Sequence, residues 1–177
     1  TTRDPRKLLH QDEADLAIGH FPDAVVALQS EGPASALRHA PLYETRYVCV
    51  MRRGHPLAAG ELTLETYCAA DHLLVSFSGR PHGLVDQALA TLGLQRRVVL
   101  TVNQFFTAGR VVIQSDLLTV LPWSFLPATG YADDLEVREM PFTLAPVAVQ
   151  MLWPLRLDSA PAHRWLRRLV TRAAAAA

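Results

Sequence analysis

From residue 71 onward, apolar runs of strand length alternate with segments whose apolar residues recur at helical spacing. Leu73, Leu74, Val75, Ser76 and Phe77 read as a strand. Val85, Ala88, Leu89 and Leu92 then fall at i, i+3, i+4 and i+7, one face of a helix that Gly93 closes. Residues 97–102 give a second strand. A second helix, from about Gln104 to Gln114, is expected to bury Phe105, Ala108 and Val112, and residues 117–121 give a third strand ahead of Pro122. Strands and helices alternating in this way imply parallel pairing with right-handed crossovers, an α/β lobe.

The flanking segments are less periodic. A helix-like piece at Leu8 and Leu9 leads into a strand at 14–19 that Gly19 ends, and the stretch 22–36, with Pro22, Gly32 and Pro33 and no clear period, reads mostly as loop. Residues 42–52, rich in Tyr, Val and Cys, read as one strand stopped by Gly54, His55 and Pro56. After a polar linker at 130–134 come strands at 135–140 and 147–153. The closing helix has Asp158 or Ser159 as N-cap, Pro161 in its first turn, an apolar face of Trp165, Leu166 and Leu169, and Arg164, Arg168 and Arg172 outside that face. This order sets one lobe, 73–145, between two segments of another, 1–72 and 146–177. A cleft between lobes is the natural place for a ligand.

Composition narrows the function. Half of the 177 residues are hydrophobic, enough for a sizeable core, and 17 basic residues balance 17 acidic ones. With no field of one sign, direct binding to nucleic acid or to an anionic membrane is not expected. No apolar run approaches the ~20 residues of a membrane helix. Cys49 and Cys68 form no CxxC pair and suit buried thiols in a reducing cytoplasm better than a disulfide. Seven histidines are present without HExxH or paired spacing, so no metal is expected. Phosphate loops are absent, so no cofactor is expected. Ser78 and Gly79 lack the G-x-S-x-G frame of a hydrolase, and the chain reads as a non-enzyme.

Two junctions carry candidate binding chemistry. Ser76, Phe77, Ser78 and Gly79 lie at the C-terminal end of the first strand of the α/β lobe, where hydroxyls and free amides can receive an anion; the alternative is a polar loop that only caps its helix. Asn103, Gln104 and Phe106 follow the second strand and offer amides beside an aromatic wall, while Asn103 as a helix cap and Phe105 as core are the plainer reading. His20 and Phe21, after the strand at 14–19, and Pro122 complete the candidate set.

The order of several segments resembles a known family. Asp15-Leu16-Ala17-Ile18-Gly19, then Tyr47 to Arg52 running into Gly54-His55-Pro56-Leu57, then Ser115 to Pro122 are similar to the substrate-binding domain of LysR-type transcription regulators. Val75-Ser76-Phe77-Ser78-Gly79 with Gly83-Leu84-Val85-Asp86, and the ending Met151-Leu152-Trp153 with Pro161 to Leu166, resemble the branch that senses aromatic compounds. The resemblance implies a periplasmic-binding-protein-like fold of two α/β lobes joined by two crossover strands. A small aromatic or carboxylate effector would sit in the cleft and meet His20, Phe21, Ser76 to Gly79, Asn103 to Phe106 and Pro122. It implies a cytoplasmic regulator, dimeric or tetrameric when full length, that touches promoter DNA through a helix-turn-helix domain absent here. The resemblance also implies an opening strand and helix for lobe I that are not expected among the segments read above. A solute-binding protein of a transport system is the alternative with the same fold.

Overall fold

In the computed structural model, which describes residues 4–76 and 82–175, the stretch 22–36 holds a helix rather than mostly loop. Pro22 stands in its first turn, where the missing N–H costs nothing, Asp23 complements the helix dipole, and Gly32 (φ 61°) ends it. The residues that suggested a loop are therefore the start and stop of α2 (Pro22–Glu31), preceded by α1 (Arg6–His10) and β1 (Ala17–Gly19). The single strand expected over 42–52 is two: β2 (Leu37–Thr45) and β3 (Tyr47–Arg52).

There follow α3 (Leu64–Ala69), β4 (Asp71–Val75), α4 (Leu84–Thr91), β5 (Arg97–Val102), α5 (Phe105–Val112), β6 (Thr119–Pro122), β7 (Leu135–Glu139), β8 (Val147–Pro154) and α6 (Pro161–Ala175). Two compact units result, Thr1–Thr45 with Val147–Ala177, and Arg46–Pro146. The anticipated boundary at 72/73 falls inside the second unit. The reason is β3, which pairs antiparallel with β6 on one side and β7 on the other, so its partners lie far ahead in sequence.

In the first unit β8 lies between β1 and β2, antiparallel to both. Leu9, Phe21, Ala24, Leu28, Leu37 and Leu152 form its core. The closing helix docks differently from its apolar pattern. Its buried residue is His163, which donates from Nε2 to the Asp15 carbonyl at 3.0 Å and accepts from Arg167 at Nδ1, while Trp165 stays 60% exposed and Leu169 41%. Neither Asp158 nor Ser159 caps it, because the helix begins at Pro161. The Asp158 carboxylate accepts instead from the Trp153 indole at 2.9 Å.

In the second unit β4 and β5 pair in parallel, and a parallel bridge from His72 to Leu118 sets the approach to β6 in the same direction. Two apolar clusters fill this unit, one with Val48, Val50, Leu73, Ala108, Val112 and Leu121, the other with Cys49, Met51, Tyr67, Leu89 and Leu118. Phe105, expected in the core, is only partly buried against the first cluster. Both cysteines are free thiols, and burial pushes Cys49 up to about 12, which leaves it unreactive.

Candidate functional site

The strand directions of the second unit gather one rim. Tyr47 at the start of β3 faces Pro122 at the end of β6, and Val48 faces Glu139 at the end of β7. Val75 faces Val102 at the ends of β4 and β5. The C-terminal ends of four strands and the first residue of a fifth thus share an edge of the unit, the place where open α/β sheets receive ligands.

Ser76 follows β4, is 6% exposed, and donates its amide to the Val102 carbonyl at 2.8 Å. Asn103 and Gln104 follow β5 and are exposed. Gln104 is the residue before α5 and makes no side-chain capping bond, so capping does not consume its amide. Phe106, in the first turn of α5, is 54% exposed. Its ring lies 6.2 Å edge-on from Phe125, which also packs 4.7 Å from Phe105. Pro122 is buried at the end of β6. The rim therefore brings together Ser76, Asn103, Gln104, Phe106 and Pro122; Phe77, Ser78 and Gly79 lie outside the described residues.

His20 and Phe21 belong to the first unit. His20 is exposed, with Nδ1 donating to the Ala148 carbonyl at 3.0 Å. Phe21 is 7% exposed and lies in the core of that unit, so close under Gly19 that a Cβ there would come within 2.7 Å of its ring.

Sequence reasoning missed two rim residues, Arg46 and Trp123. The Trp123 amide donates to the Arg46 carbonyl at 2.8 Å, and the Arg46 guanidinium stacks 4.5 Å from the Trp123 ring centre while pairing with Glu139 at 3.0 Å. The available signal was the polar interruption Glu44-Thr45-Arg46 inside the run read as one strand.

Beneath the rim, a buried ion pair secures the start of α4. Arg96 (side chain 1% exposed) donates to Asp86 (11%) at 2.8 Å and to the Tyr67 hydroxyl at 3.2 Å, and Asp86 accepts the Gly83 amide at 2.7 Å. Burial works to raise Asp86, but the Arg96 guanidinium and the Gly83 amide outweigh it and hold the carboxyl below its ordinary value. Among the described residues no three His, Cys, Asp or Glu side chains converge on a point that could hold a metal, and no helix is long and apolar enough to cross a membrane. What the rim exposes is amide, guanidinium, carboxylate and aromatic surface, a set suited to binding a small molecule.

Known proteins share this sequence and fold. The family model for the LysR substrate binding domain matches residues 1–175. The HTH-type transcriptional activator NahR of Pseudomonas putida is 30% identical over 162 residues, which cover 92% of this chain and 51% of NahR. The regulatory domain of MexT, a transcriptional activator in Pseudomonas aeruginosa, has a TM-score of 0.74 at 27% identity, over 94% of this chain and 76% of that one. The effector binding domain of QuiR in complex with shikimate has a TM-score of 0.70 at 17% identity, over 98% of this chain and 78% of that one, a likeness of fold. The chain spans about half the length of the curated relatives it matches. The fold is the α/β, periplasmic-binding-protein-like class of these regulatory domains. The chain is accordingly a member of the LysR substrate-binding-domain family.

Proposed function

We propose that the chain is the effector-sensing domain of a LysR-type transcription regulator, that its effector is a small aromatic acid, and that it carries out no reaction of its own. The observation that carries this reading is the rim of the second unit, where the exposed Asn103 and a Gln104 side chain that makes no capping bond stand beside the half-exposed ring of Phe106. Amides and backbone N–H groups supply the polar contacts, and the ring supplies a face for another ring. Effector binding would act by favouring one conformational state over another, which requires different affinities for the two. The family match favours this reading over a transport-type solute-binding protein. In this reading promoter DNA is met by a part of the regulator beyond this chain, in the cytoplasm.

A ligand that binds only the native state at about 100 times its Kd adds ~2.7 kcal/mol of stability. Benzoate or salicylate is therefore expected to raise the melting temperature of the chain. Gln104→Ala is expected to weaken that binding by about 1 to 3 kcal/mol with little change in the melting temperature without ligand. A panel of such acids that leaves the melting temperature unmoved refutes the reading.

The reading extends to self-association. Trp165 and Leu169 stay exposed on α6 beside Arg164, Arg168 and Arg172, and a symmetric pair would use one such patch twice. Sedimentation at high micromolar concentration is expected to show a dimer that Trp165→Asp returns to monomer. A monomer throughout sinks this part of the reading.

A further inference from the structure

We infer that Arg46 is an effector-binding residue, the guanidinium that takes the carboxylate of an aromatic acid at the rim of the second unit; this rests on the effector reading above. Three observations carry it.

The first is place. Tyr47 pairs with Pro122 and Val48 with Glu139, so Arg46, one residue earlier, stands where β6 and β7 end and where Ser76 and Asn103 follow β4 and β5. Of the described residues that end or directly follow β4, β5, β6 and β7, none is a lysine or arginine, so Arg46 beside them supplies the positive charge.

The second is how the guanidinium is held. Its Nε and Nη2 donate to Glu139 Oε1 at 3.2 and 3.0 Å, and Nε reaches Oε2 at 3.3 Å. Trp123 covers one face at 4.5 Å. Glu139 thus occupies the Nε edge, and among the described residues Nη1 has no hydrogen-bond partner. The Nη1 and Nη2 edge is left open, a planar fork matched to two carboxylate oxygens. An arginine stacked and paired in this way has already lost much of its rotamer freedom, so a ligand need not order it.

The third is the pairing of this charge with aromatic surface. Trp123 is 46% exposed and Phe106 54%, and they are joined through Phe125, which shares a turn with Trp123 and a ring contact with Phe106. The fold gains little from the arrangement, because Arg46 (52% exposed) and Glu139 (70%) form a solvent-exposed ion pair. Orientation of a charge beside rings is the result that remains, and it suits an aromatic carboxylate.

The experiment compares acids with their uncharged amides. Calorimetric titration of the chain with benzoate, salicylate, benzamide and salicylamide gives the preference of the site for acid over amide. Arg46→Gln is expected to weaken both acids by about tenfold or more and to leave the amides within about twofold, since only the charge-assisted fork is lost. Arg46→Lys, which keeps the charge without the fork, is expected to fall between. Glu139→Gln removes a competing carboxylate and keeps Arg46, and is expected to tighten the acids without moving the amides. Melting temperatures without ligand are expected to stay level in all three variants. An unsubstituted chain that shows no preference for acids, or an Arg46→Gln chain that keeps that preference, overturns the inference while leaving the effector reading standing. Failure of the unsubstituted chain to bind any of the four compounds refutes the effector reading, and this inference with it.

Discussion

Arg96→Ala is expected to cost about 3 to 5 kcal/mol of stability, because it strands a carboxylate in the interior. The Arg96 side chain is 1% exposed, and it gives Asp86 two hydrogen bonds, at 2.8 and 3.2 Å, and Tyr67 a third at 3.2 Å. Without the guanidinium, Asp86 keeps among the described residues only the Gly83 amide at 2.7 Å as a hydrogen-bond partner and must stay charged in poor surroundings or take up a proton. Its release would also loosen the start of α4, eight residues beyond Ser76 on the rim. Urea unfolding followed by circular dichroism reads the loss as a lower midpoint. The double variant Arg96→Met with Asp86→Leu is the informative control. Replacing both members of a buried pair by apolar groups of similar volume is often close to neutral, so much of the stability is expected to return. A single variant costing under ~1 kcal/mol would show that water already reaches this pair.

The second large effect is on pH. His72 is fully buried, its ring lies tilted 4.6 Å from that of Tyr67, and it donates from Nε2 to the Tyr67 carbonyl at 2.7 Å, while among the described residues Nδ1 has no hydrogen-bond partner. Burial pushes the imidazole down from 6.5 to about 4; the bond to the Tyr67 carbonyl works the other way, the Arg96 charge lowers it further, and Asp86 and Asp71 offset part of that. Between those values the unfolded chain binds a proton that the folded chain refuses. Stability is therefore level above about pH 6.5 and falls as the pH drops toward about 4, by about 3 kcal/mol over the whole span. His72→Gln can keep a donor for the Tyr67 carbonyl and has nothing to titrate there, so its stability is expected to stay flat between pH 6.5 and 4.5. A variant that loses stability with the same slope as the parent places the acid sensitivity elsewhere.

Both effects arise in a segment whose elements were legible from local pattern. The strand at 97–102 matches β5 residue for residue, and the helix expected at 104–114 contains α5. Side-chain period two and period 3.6 are properties of a few consecutive residues, so they can be read without knowing any partner. The candidate residues Ser76, Asn103, Gln104 and Phe106 were legible for a related reason. They directly follow strands or open a helix, and that position alone places them at a strand-end rim.

Elsewhere local pattern was silent or misleading. Pro22 and Gly32 could mark either a loop or a helix with its two ends, and the buried side of Ala24, Val25 and Leu28 settles the matter in favour of a helix. On α6 the apolar stripe predicted the face that packs, yet the helix docks through His163 and Arg167, the latter stacked 4.5 Å from Trp153. The polar side had distant partners, the Asp15 carbonyl and the Trp153 ring, that helical periodicity cannot see. By itself the sequence determined the class of the fold, the family, and the presence and order of the strands of the second unit, because each rests on short-range pattern or on the order of segments, though the strand expected at 73–77 lies at Asp71–Val75. Tertiary structure alone decided that Arg46 opens the second unit and stands on Trp123 beside Glu139, because antiparallel pairing of β3 with β6 and β7 joins residues far apart in the chain, and such pairing is set by the whole sheet.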